Sequence, residues 1–194
     1  MILPIVAYGD PVLKSECDDI DKDFEGLEQL IADMFETMYN ANGIGLAAPQ
    51  IDENIRLFIV DGSPFEDDEE LEEKEREILT NFKKIFINPE IVEEKGKKWA
   101  FKEGCLSIPD IREDVMREPE ITIEYYDENF KFKSEKFDGI AARIIQHEYD
   151  HIEGILFTDN ISSLKRRLLK GKLRDISMGN IEAKYKMKFP LRKK

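Results

Sequence analysis

Apolar residues in FEGLEQLIADMFETMYNANG recur at helical spacing. Leu27, Leu30, Ile31, Met34 and Met38 share one stripe, and Asn42-Gly43 closes the predicted helix. The period then changes. NIRLFIVDG is a short apolar run with β-branched residues and predicts a strand. An acidic stretch follows, leading through an exposed loop or a surface helix at EEKEREILTNF. KKIFINPEIVEEKGKKWAFKEGCLSIPDI predicts two strands around Lys95-Gly96. EITIEYYDENFKFKSEKFDG predicts a hairpin turning at Asp127, Glu128 and Asn129. Helical spacing returns in GIAARIIQHEYDHIEG, with Ile140, Ile144, His147 and His151 on or near one face and Gly154 as the stop. SSLKRRLLKGKLRDIS predicts a short basic amphipathic helix, and NIEAKYKMKFP alternates like a last strand. Strands come in consecutive runs, not in alternation with helices. That pattern predicts an α+β fold, with antiparallel or mixed sheets packed around the central helix that carries the histidines.

The 194 residues suit one domain with its own core, spanning 1–194. No apolar run is long enough to cross a membrane, and MILPIVAYGDPVLKSE lacks the basic start and cleavage site of a secretory signal. A cytoplasmic protein is therefore expected. In that setting Cys17 and Cys105 are expected as free thiols or metal ligands, not a disulfide.

Charge is unevenly spread. Residues 66–77, EDDEELEEKERE, hold nine acids and two bases. From Leu164 onward there are twelve Lys or Arg and two acids, a charge of +10; the preceding 163 residues carry 17 bases and 40 acids, a charge of −23. Solvated surface is the simplest account of both runs. The basic tail would also suit RNA or another acidic partner.

His147 and His151 are the only histidines, and with Glu148 they form an HExxH pattern. One helical turn separates i from i+4, so both imidazoles can hold one metal, with Glu148 near enough to reach a water beside it. A catalytic site needs a third protein ligand. No third histidine remains. Glu153 is too close along the same helix, and Glu182 lies in a strand-like segment. Cys105, in KEGCLSIPD, is the best candidate. Cys17 is ringed by acids that would disfavour its thiolate.

Three blocks then resemble one family, the peptide deformylases: GIGLAAPQ (43–50), EGCLS (103–107) and QHEYDH (146–151), in that order. GDPVLK and the long first helix extend the likeness over most of residues 1–160. The segment from Phe65 to about Thr80 looks like an acidic insertion relative to shorter members, and the basic tail from about 164 carries no transferable motif. The resemblance implies that Cys105, His147 and His151 bind one divalent metal with water completing the set. Ferrous iron is expected physiologically, with zinc, nickel or cobalt as other occupants. It implies Glu148 as general base and then acid, Gln50 and the Leu106 N–H as oxyanion donors, and Gly43, Ile44 and Gly45 as the groove for an N-formyl-methionyl peptide. A zinc endopeptidase of another HExxH class and a non-enzymatic metal- or RNA-binding module are the alternatives. Since formyl groups occur on nascent chains, the basic tail is also a candidate contact for ribosomal RNA.

Overall fold

A computed structural model of the chain describes residues 1–69 and 71–191. The elements run β1 (Ile5–Val6), α1 (Leu27–Asn40), β2 (Gly45–Ala47), β3 (Leu57–Asp61), α2 (Glu73–Thr80), β4 (Lys83–Lys95), β5 (Trp99–Cys105), β6 (Ile108–Arg117), β7 (Glu120–Tyr126), β8 (Phe132–Asp138), α3 (Gly139–Ile152), α4 (Ser163–Met178) and β9 (Met187–Lys188), with short 3-10 turns between them.

β3 explains the layering. All five of its residues are buried, so both faces of its sheet must be covered. Leu57 and Ile59 face α1, packing with Ile31, Met34 and Met38. Phe58 and Val60 face α3, packing with Ile140, Ile144 and Ile145. The sheet runs β2-β3-β4-β7-β8, antiparallel throughout. Stacked Phe58 and Phe86, 4.7 Å apart, and Phe86 and Tyr125, 4.4 Å apart, fill the side under α3. β5 and β6 form a separate hairpin, and its Ile108, Ile111 and Val115 join Leu173 and Ile176 of α4 in a third cluster. The fold is thus α+β, with α3 as the central helix.

The expected helices and the β7–β8 hairpin all form. α1 ends as predicted, though the left-handed residue is Asn42 and not Gly43. Gly154 does close α3 with a positive φ, where a side chain would strike the backbone of Lys14. Four elements differ from the sequence reading. The second strand drawn through Ile111 is broken at Leu106-Ser107, where β5 turns into β6. β1 and β2 have no counterpart in the predicted elements. The final alternating segment does present Ile181, Tyr185, Met187 and Phe189 inward, but only Met187–Lys188 pairs, because its parallel partner β1 is two residues long.

Candidate metal centre

α3 sets His147 and His151 one turn apart, with ring centroids at 5.1 Å and planes at 84°. Both are buried. The last residue of β5 brings in Cys105, whose Sγ lies 3.2 Å from His151 Nε2. Ligand atoms of the three residues all fall within 4.8 Å of one another, and no other such cluster occurs among the described residues. A thiolate and two imidazoles are a good donor set for a borderline-soft divalent cation, and three protein ligands leave a position open.

Beside this cluster stands Glu148, 4% exposed, with Oε2 buried and without a hydrogen-bond partner among the described residues. Such an atom normally has a partner, and its place beside a three-ligand cluster fits a bound cation and its water. Burial pushes the Glu148 carboxyl up to about 7. The backbone of β2 approaches closely: a Cβ on Gly45 would lie 2.7 Å from Glu148 Cδ, so glycine is required there by contact.

The sequence reading gave no role to the network behind His147. Glu103 Oε2 meets His147 Nδ1 at 2.9 Å, which leaves Nε2 for the cluster. Arg117 grips the same carboxylate with two bonds, at 2.8 and 3.0 Å, and Arg143 adds a third at 3.0 Å. Arg143, 2% exposed, also donates to the carbonyls of Val115 and Trp99, and Arg117 reaches Asp150 at 2.8 Å. Burial alone would raise Glu103, but His147 and Arg117 outweigh it and hold the carboxyl well below the usual range. Burial likewise lowers both imidazoles. For His147 the Cys105 thiol and Glu103 reverse the balance and hold it high, whereas His151, next to His147, stays well below its ordinary value. Spacing offers a hint for two members, since Glu103 is two residues before Cys105 on one strand and Arg143 is one helical turn before His147, but nothing in it ties them to each other or to Arg117.

Gln50 is buried in the 3-10 turn Ala48–Ile51. Its Oε1 accepts from the Ala47 N–H at 2.9 Å, which fixes the amide so that Nε2 points to Cys105 Sγ at 3.4 Å and Ser107 Oγ at 3.2 Å. Leu106 follows Cys105 in the turn. Gly43 is placed differently from Gly45: a Cβ there would meet the Leu106 side chain at 2.7 Å, so its bareness serves packing behind the turn. Ile44 is half-buried, and its carbonyl accepts from the Asp61 N–H of β3. Cys17 is a free, buried thiol apart from the cluster, raised to about 11. The direction matches the sequence reading, but burial is the main cause and the neighbouring acids contribute less.

The polypeptide deformylase family profile matches residues 2–167. A peptide deformylase of Christiangramia forsetii is 62% identical over 100% of this chain and 99% of its own. One from Flavobacterium johnsoniae is 58% identical over the same shares. Among solved structures, a peptide deformylase from Legionella pneumophila superposes with a TM-score of 0.77 at 35% identity, covering 90% of this chain and 95% of its own. Peptide deformylase 1B of Arabidopsis thaliana, in complex with an inhibitor, gives 0.78 at 30% identity, covering 95% and 98%.

Proposed function

The chain belongs to the polypeptide deformylase family, and from that premise we propose how its buried cluster carries out the family's reaction, the hydrolytic removal of the N-terminal formyl group from formyl-methionyl polypeptides. Cys105, His147 and His151 would hold the metal. A divalent cation there supplies Lewis acidity, polarising the formyl carbonyl and acidifying water. Glu148 takes a proton from the attacking water and delivers it to the departing methionine amine. A carboxyl raised to about 7 suits both transfers. Gln50 Nε2 and the Leu106 N–H donate to the formyl oxygen as it gains negative charge. Glu103 keeps His147 in the tautomer that presents Nε2.

β2 is an edge strand. Antiparallel pairs alternate between bonded and non-bonded positions, and Ile44 is bonded to Asp61. Gly45 therefore turns its own N–H and C=O outward, where a substrate main chain can add as a further strand. Ile44 flanks that groove, and Gly43 supports it from behind.

The observation that carries this assignment is Glu148 Oε2, buried without a hydrogen-bond partner among the described residues, on a side chain close against Gly45 and beside a three-ligand cluster. The test is formate release from a formyl-Met peptide by protein purified and iron-loaded without oxygen. Glu148→Gln should lower turnover by about 10²–10⁴-fold with bound metal unchanged. A variant that keeps parental turnover, or a metal-loaded parent that releases no formate, would overturn it.

The finer assignments belong to the same proposal. Ferrous iron is the resident metal, with zinc, nickel and cobalt as substitutes to be compared in that assay. Residues 1–194 act as one catalytic domain in the cytoplasm, with residues 65–80 as an acidic insertion. The basic C-terminal region from about 164 contacts ribosomal RNA. Relatives at 54–62% identity over the full chain carry the deformylase name, so neither an endopeptidase nor a binding module is favoured.

A further inference from the structure

The family profile ends at residue 167, yet a side chain well beyond it touches the turn that follows Cys105. We propose that Tyr185 is a positioning residue for the Leu106 oxyanion donor, acting through a hydrogen bond from its hydroxyl to the Leu106 carbonyl. The proposal rests on the deformylase reading above and adds to it a residue on the C-terminal segment.

The bond from Tyr185 Oη to Leu106 O is 2.6 Å long. Tyr185 lies on the inward side of its alternating segment and packs against the cluster between α1 and the main sheet. The segment is tied down just beyond it: Lys186 O accepts from Ile5 N and Lys188 O from Ala7 N, both at 2.9 Å, and Leu191 N donates to Ser177 O. The hydroxyl is thus presented by anchored backbone.

The turn it meets is short. Cys105 pairs with Ile108, so Leu106 and Ser107 alone connect β5 to β6. Ser107 is held by Tyr8, whose N–H donates to Ser107 O at 2.9 Å, and by Gln50 Nε2 on its Oγ. The Leu106 side chain sits over Gly43. Tyr185 supplies the restraint on the Leu106 carbonyl itself. Each residue has two soft backbone angles. The Leu106 N–H lies in the peptide plane shared with Cys105 and its carbonyl in the next; β5 holds the first plane from one side and Tyr185 holds the second, which limits how far the N–H can swing. An oxyanion donor gives its full effect only when aimed in advance.

The experiment is Tyr185→Phe in the full, metal-loaded chain. It reads kcat and KM for a formyl-Met peptide, metal content, the unfolding midpoint, and the Leu106 amide resonance in isotope-labelled protein. Loss of a whole oxyanion donor costs about 10²–10³-fold in kcat, so loosening one should cost about five- to twentyfold. KM should stay within about twofold and metal content should not change, because the hydroxyl touches neither groove nor ligands. The Leu106 resonance should shift or broaden while those of β3 stay in place. Unchanged kcat overturns the proposal. So does a fall in kcat that merely follows missing metal or unfolded protein, which would make Tyr185 structural only. If the parent releases no formate, the deformylase reading fails, and the Leu106 resonance still decides: an unmoved signal in the variant rejects the positioning role.

Discussion

Glu148 is a carboxylate kept where carboxylates are costly. Its usual value of 4.5 rises to about 7 through burial. The folded state therefore binds this proton more tightly than the unfolded chain. The resulting stabilisation is complete below about pH 4.5 and is lost as pH rises through 7. Glutamine in its place carries no charge at any pH. In metal-free protein, Glu148→Gln should thus be more stable than the parent at pH 8, by up to about 3 kcal/mol, and the gap should close by pH 4.5. Urea unfolding of both proteins at the two pH values checks this. A variant no more stable than the parent at pH 8 would show that the charge is solvated. Sequence spacing singled out Glu148 and both histidines because a helix repeats locally, elimination pointed to Cys105, and the fold brings that cysteine and the two histidines together. Glu103, Arg117 and Arg143 escaped for a physical reason. Charged residues are usually on the surface, and only the tertiary fold brings three elements together so that these charges satisfy one another when buried.

β2 is three residues long, too short to show a period, yet it places the proposed substrate edge against the proposed acid–base residue. Its glycine is separable from the one just before it. A Cβ on Gly45 must displace the Glu148 carboxylate, whereas a Cβ on Gly43 meets the far end of Leu106 and Met38 Cγ. Both alanine variants should lose about 1–3 kcal/mol to overpacking. Only Gly45→Ala disturbs the proposed proton-transfer group directly, and small displacements there are expensive, so its kcat per bound metal should fall at least about tenfold below that of Gly43→Ala. Equal kcat values in the two variants, with urea midpoints confirming folding, would remove Gly45 from the site. β5 was predicted as a strand, but the turn into β6 was missed and β6 itself gives a weak signal. β6 buries Arg117 and exposes Met116, the reverse of the usual pattern, because Arg117 turns in to meet Glu103. Helices α1 and α3 and the β7–β8 hairpin bury apolar residues at regular spacing, and each was predicted from it.

Charge segregation survives folding and gives the molecule two unlike surfaces. The acids of residues 1–163 dominate its net −13 charge. α4 opposes them with the exposed side chains of Arg167, Lys170, Lys172 and Arg174. Lys165 is already paired with Glu113 at 2.7 Å, and Arg166 donates to the Asp159 carbonyl, so these two serve the protein itself. The four exposed side chains are the ones proposed to meet phosphate, and none of them is among the buried residues, Leu173 and Ile176, that fix α4 to the body. Replacing all four by Gln should leave folding intact and formate release from a short peptide unchanged, because neither core nor cluster is touched. Binding to ribosomes should weaken, and its dependence on log salt should flatten by about 0.7–0.9 for each phosphate that is no longer neutralised. Co-sedimentation measured from low to moderate salt reads both quantities. If affinity and slope match the parent, the basic face is solvated surface and does not bind the ribosome, while the chemistry at Cys105, His147 and His151 stands or falls by its own assay.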